Sequence, residues 1–87
     1  MATSLYRESL AFLGSELQYA KAERKLRLAV RLNDKDEVIL NQLGDVLYEQ
    51  KKYKESLNFL NLSLKVNASN SETKTLIGKN HVALEEL

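Results

Sequence analysis

One period governs this chain. Tyr19 recurs as Tyr53, Leu26 as Leu60, and Val30-Arg31-Leu32-Asn33 as Leu64-Lys65-Val66-Asn67, all at one constant offset. Leu43-Gly44 recurs as Ile77-Gly78 at the same offset. A fixed repeat of about 34 residues is the signature of stacked helix–turn–helix units, because one such unit cannot bury its apolar face alone and covers it with the next. Function is then expected in a surface that the stack presents, not in an enclosed pocket.

Composition narrows the reading. With 87 residues, the chain supports one small domain and a modest core. Proline and cysteine are absent and only three glycines occur. The scarcity of helix breakers favours helix throughout. The missing thiols exclude disulfides and thiolate metal sites and suit a reducing compartment, so a cytoplasmic location is expected. A net charge of +1 gives no overall attraction to nucleic acid or anionic membrane. No apolar run approaches the ~18 residues of a membrane span. The opening residues, Met1 to Gly14, lack the basic start and apolar centre of a secretory signal.

Apolar spacing predicts five helices. They cover about Ser4–Ser15, Tyr19–Leu32, 37–50, Tyr53–Val66 and 71–87. Asn33-Asp34-Lys35-Asp36 and Asn67-Ala68-Ser69-Asn70 are the two polar breaks. Asp34 with Glu37, and Ser69 with Glu72, fit capping boxes for the helices that follow. The turns are short, so neighbouring helices run antiparallel. The period favours an open stack over a closed bundle.

Leu40-x-x-Leu43-Gly44-x-x-Leu47, then Ser56-x-x-x-Leu60, then Ala68, resembles the tetratricopeptide repeat pattern W-x-x-L-G-x-x-Y…A-x-x-x-F…P. Tyr53 stands at the turn, where that family usually has an aromatic. The small Gly44 and Ser56 permit close approach of the paired helices. The first unit reads Tyr6-x-x-Ser9-Leu10-x-x-Leu13, then Ala22-x-x-x-Leu26, then Asp34. Leu10 replaces the glycine there, so that pair is expected to cross with a wider gap, partly offset by Ala22. The third unit has only Lys74-x-x-Ile77-Gly78-x-x-His81. Tryptophan and the closing proline are missing, and Asn33 and Asn67 act as stops.

The resemblance covers almost the whole chain. It implies an all-α fold: a right-handed superhelical stack of antiparallel helix pairs. Repeat 1 would span about 3–36, repeat 2 about 37–70, and a capping or truncated third-repeat helix about 71–87. A piece of a longer array is the equal alternative to a capped pair of repeats.

Catalytic patterns are missing. His81 is the only histidine and has no cysteine or second histidine with which to build a zinc site. Its repeat position matches Leu13 and Leu47, so it reads as a packing residue. No G-x-S-x-G elbow and no glycine-rich phosphate loop occurs. The pairs Asp34/Asp36 and Glu85/Glu86 lie at a break and at the chain end, where solvated roles dominate. Neither enzyme activity, a metal nor a cofactor is expected.

The resemblance implies that the first helix of each unit lines a concave groove for a partner's peptide. Its residues here would be Ser4, Arg7 and Ala11, then Val38, Asn41, Asp45 and Tyr48, then Glu72, Thr75 and Lys79. Asn41 offers a donor and an acceptor to a peptide backbone, and Tyr48 an amphipathic platform. Family members that hold the acidic C-terminal tails of chaperones use lysine, arginine and asparagine in this groove. Glu72, Leu76 and Ala11 occupy three of those places, and Glu72 repels a carboxylate, so that partner class is disfavoured.

Two further surfaces stand out. Lys21, Arg24, Lys25, Arg27 and Arg31 give the second helix a basic face, with Lys51, Lys52 and Lys54 near the next turn. Its first reading is a solvated face and its second a contact with an acidic protein; without interleaved aromatics it does not suggest nucleic acid. Phe59 matches Lys25 in the period and is the odd aromatic of its helix, to be covered by the last helix or by another chain. Arg24, Arg31 and Phe59 are therefore candidates for a secondary interface. The leading expectation is an adaptor or scaffold that binds a protein segment. The rival is an assembly module that self-associates into a homo-oligomer, or one part of a longer scaffold within a complex.

Overall fold

The computed structural model of the chain describes the backbone of residues 2–87 and the side chains of residues 16–87. Among the described residues it is entirely helical: α1 (Ala2–Leu32), α2 (Glu37–Glu49), α3 (Tyr53–Val66) and α4 (Ser71–Glu85). The count is four, not the five expected. The first two expected helices are one continuous helix of 31 residues. The break was placed at residues 16–18, and Glu16-Leu17-Gln18 are all good helix formers. Gly14 costs a helix about 1 kcal/mol but does not by itself end one.

The two polar breaks fold alike. Asn33 Oδ1 accepts from the Lys35 N–H at 3.4 Å, and Asn67 Oδ1 accepts from the Ser69 N–H at 3.2 Å. Asp36 then caps α2, accepting from the Val38 and Ile39 N–H groups, and Asn70 caps α4, accepting from those of Glu72 and Thr73. The caps are therefore Asp36 and Asn70 rather than the expected Asp34 and Ser69. Asn33 and Asn67 form the turn first, through their own side chains, and so delay each helix start. Both pairs are separated by one repeat period.

The turn from α2 to α3 is held differently. Gln50 ends α2, Lys51 adopts φ 64°, and the Lys52 N–H reaches back to the Leu47 carbonyl at 2.9 Å. This is a left-handed helix stop of the kind usually built on glycine. A lysine there carries about 1 kcal/mol of backbone strain, which the packing of α2 on α3 outweighs.

That packing is close. Leu40, Leu43, Leu47 and Leu60 are fully buried and Leu76 is 7% exposed. The Ser56 hydroxyl donates to the Gly44 carbonyl at 2.6 Å. A Cβ on Gly44 would stand 2.5 Å from Leu60 Cδ2. Here glycine is required by the approach of α3.

α4 closes the other side through a buried polar seam. Thr73 donates to Asn41 Oδ1 at 2.6 Å, and Asn80 Nδ2 donates to Ser56 Oγ at 3.0 Å. Asn80 is fully buried. The positions of α4 that match the repeat pattern, Lys74, Gly78 and His81, are exposed instead, and Ile77 is half-buried. The inward face of α4 is thus the set Thr73, Leu76 and Asn80, one step round the helix from the face α2 turns to α3.

α1 packs its backbone against α2 alone. Leu28 and Leu32 on α1, and Leu62 and Val66 on α3, remain exposed, Leu32 at 90%. Leu87 is exposed too.

Candidate protein-interaction surface

The described groove candidates fall on two helices. Val38, Asn41, Asp45 and Tyr48 follow the spacing of one face of α2, and Thr75 and Lys79 that of one face of α4. The Asn41–Thr73 bond lies between these helices. Val38, Asp45, Thr75 and Lys79 are exposed. Arg7 and Ala11 lie outside the described side chains.

Three candidates are less free than their type suggests. Asn41 is only 6% exposed, and its carbonyl oxygen is engaged by Thr73. Its acceptor serves the α2–α4 seam and not an incoming backbone. Tyr48 is half-buried, its ring tilted at 57° against Tyr53 with centroids 5.7 Å apart. The edge that remains open is smaller than a free tyrosine platform. Thr75 spends its hydroxyl on the Ser71 carbonyl at 2.9 Å. The side chains best able to meet a partner are therefore Val38, Asp45 and Lys79: one apolar, one acidic and one basic.

On the opposite flank the basic helix is partly neutralised. Arg24 and Arg31 are exposed. Arg27, by contrast, binds Glu23 at 2.7 Å and Glu55 at 2.9 Å, and lies over the Phe59 ring at 5.6 Å from its centroid. Phe59 is half-buried beneath that guanidinium. It was expected under the last helix or another chain; its cover is α1.

The centre of this network, Glu23, had not been singled out from the sequence. Its carboxylate also accepts from Lys52 Nζ at 3.0 Å and Gln50 Nε2 at 2.8 Å, tying α1 to the α2–α3 turn. Desolvation raises its pKa, but the hydrogen bonds from Arg27, Lys52 and Gln50 outweigh that and hold it at about 2. The Arg27 pKa is raised, chiefly by its bond to Glu23. A Glu–Arg pair at i, i+4 was the available sequence signal. Lys52 and Gln50, 29 and 27 residues away, gave none.

Among the described residues no cluster of three or more histidine, cysteine or carboxylate side chains could hold a metal ion. No described helix is long and apolar enough to cross a membrane. His81, read as a packing residue, is exposed on α4. A shallow cleft of about 380 Å³ lies between α1 and α2, lined by Ala22, Lys25, Leu26, Gln42, Asp45 and Val46. No family model, curated protein or solved structure matches the chain.

Proposed function

We propose that the chain is a protein–protein interaction module built of tetratricopeptide-like repeats, and that it works as an adaptor or scaffold without enzymatic activity or cofactor. The observation that carries this reading is the recurrence of local structure once per repeat period. Asn33 and Asn67 form matching turns, and Asp36 and Asn70 form matching caps. Recurrent caps support stacked units in a right-handed superhelix. The exposed Val38, Asp45 and Lys79 on two neighbouring helices support a groove that reads a protein segment by one apolar and two oppositely charged contacts. Acidic chaperone tails fit it poorly, and a reducing, cytoplasmic setting suits a chain without thiols.

The test is capture of proteins from a native lysate by this chain and by a Val38→Ser, Lys79→Glu variant. The variant should lose the captured partner by about tenfold or more, a difference of about 1.4 kcal/mol in binding. Loss should not occur with Lys54→Ser, an exposed change on α3. Equal capture by the groove variant and the parent would overturn the groove.

A second reading, self-association, is favoured by uncovered apolar positions. Leu17, Leu28 and Leu32 on α1 and Val82 on α4 are all exposed. Exposed apolar side chains mark interaction sites where they gather into a patch.

A further inference from the structure

The α1–α2 cleft has a filled counterpart in the same molecule. Four of its lining residues, Ala22, Leu26, Gln42 and Val46, shift by one period to Ser56, Leu60, Leu76 and Asn80. Those four are buried, and three of them are fully so. Helix α2 covers two of them, as Gly44 meets Leu60 and its carbonyl accepts from Ser56, to which Asn80 in turn donates. In the first unit the same four positions are half-buried or exposed, because no helix lies over them. Leu17, on the same helix, is 62% exposed.

The sequence also supplies the missing helix. The segment one period before α2 is 3–15, and it carries Tyr6, Leu10 and Leu13 where α2 has Leu40, Gly44 and Leu47. The Ser56–Gly44 hydrogen bond sets the antiparallel register of α2 on α3, with Leu40 level with Leu60 and Leu47 level with Tyr53. Shifted back by one period, these levels become Leu10 with Ala22, Tyr6 with Leu26 and Leu13 with Tyr19. All are apolar or small pairs. Leu10 is bulkier than Gly44, and the open cleft has the room that α3 does not leave at Gly44.

The chain's own segment does not occupy this seat, since α1 is continuous from Ala2 to Leu32. A turn back would require a break at residues 16–18, the counterpart of the left-handed turn at 50–52. We propose that the seat is filled by residues 4–15 of a second copy, the two chains exchanging N-terminal segments along antiparallel α1 helices. The levels above are satisfied reciprocally by a two-fold axis passing near Glu16, so one dyad closes both seats. The exchange leaves the α4 face untouched. It rests on the self-association reading and meets the partner groove only at Asp45, which also lines the cleft.

The absence of native cysteine makes the test clean. Light scattering should give twice the 9.9 kDa chain mass. A Leu10→Cys, Ala22→Cys double variant, oxidised and run without reductant, should appear as a disulfide-linked dimer. An intrachain link on a monomer would show fold-back within one chain and overturn the exchange. A monomer with no link would overturn it as well. If the double variant loses its helical circular dichroism, the single variants serve. A tagged Leu10→Cys chain mixed with an untagged Ala22→Cys chain should give the mixed dimer, and neither alone should link. Self-linked Leu10→Cys would contradict the register.

Discussion

Leu60 and Leu26 hold the same place in two helices one repeat period apart, yet one is sealed and the other half open. Both belong to a helix that packs on α2. Leu60 lies on α3, whose backbone packs on α4 as well, whereas Leu26 lies on α1, whose backbone packs on α2 alone and which reaches α3 only through the Arg27 side chain. Equivalent residues thus acquire different worth from the number of helices around them. Among the described helices, α3 has neighbours on two sides and α1 packs its backbone on one.

Truncation should expose the contrast most strongly. Leu60→Ala removes a fully buried side chain and should cost about 2–5 kcal/mol. Leu26→Ala removes a half-buried one and should cost about 1 kcal/mol. Urea unfolding followed by circular dichroism measures both. Equal costs would mean that the α1–α2 cleft is as well packed as the α2–α3 seam, and the comparison would fail. Under chain exchange the Leu26 cost would rise toward the Leu60 value as chain concentration increases, which sharpens the distinction between a bare and a filled seat.

Glycine gives the second contrast, at Gly44 and Gly78. The first faces Leu60 at a distance no real Cβ tolerates; the second has nothing within 4 Å. Gly44→Ala should destabilise by about 1–3 kcal/mol through overpacking. Gly78→Ala should stabilise by up to about 1 kcal/mol, since an exposed helical glycine gains only from the added propensity. Opposite signs at two equivalent positions are the expected outcome in thermal melts. A loss at Gly78 would show that another helix already lies over α4.

These contrasts also show what was legible in the sequence. The period, the helical class, the two breaks and the core of α2 and α3 follow from residue spacing, because Leu40, Leu43, Leu47 and Leu60 lie on stripes that only one helical face can bury. The division of α1 did not follow. Repeat position alone placed a turn at 16–18, but a turn without glycine survives only where packing enforces it. Gln50-Lys51-Lys52 has that enforcement from Gly44 and Ser56; Glu16-Leu17-Gln18 has none in the single chain. The burial of Asn41 and Asn80 was equally hidden. Each depends on a hydrogen-bond partner in another helix, Thr73 or Ser56, that no local pattern announces. The same limit applies to the interaction surface: spacing puts Val38, Asp45 and Lys79 on helical faces, but only the seam at Thr73 shows that Asn41 is spent between them.

The smallest effect concerns the clamp that joins α1 to the α2–α3 turn, the contact by which the half-open pair borrows support from the closed one. Glu23 has its pKa lowered from 4.5 to about 2. A depressed carboxylate stabilises the fold above its unfolded pKa, and that contribution is lost as pH falls through the folded value. The window is therefore pH 4.5 down to about 2. The Glu23 side chain is 14% exposed, but Arg27 and Lys52 are 40% and 44% exposed. Solvent screening reduces the net worth of the clamp to on the order of 1 kcal/mol. Glu23→Gln should lower stability by that amount at pH 7 and by progressively less as the pH falls through the window, until parent and variant converge near its lower end. Melts at pH 7, 4.5 and 2.5 measure the convergence. A constant difference across that series would show that the Gln50 and Lys52 contacts act through shape alone, and α1 would then be held to the closed pair by packing on α2 without help from charge.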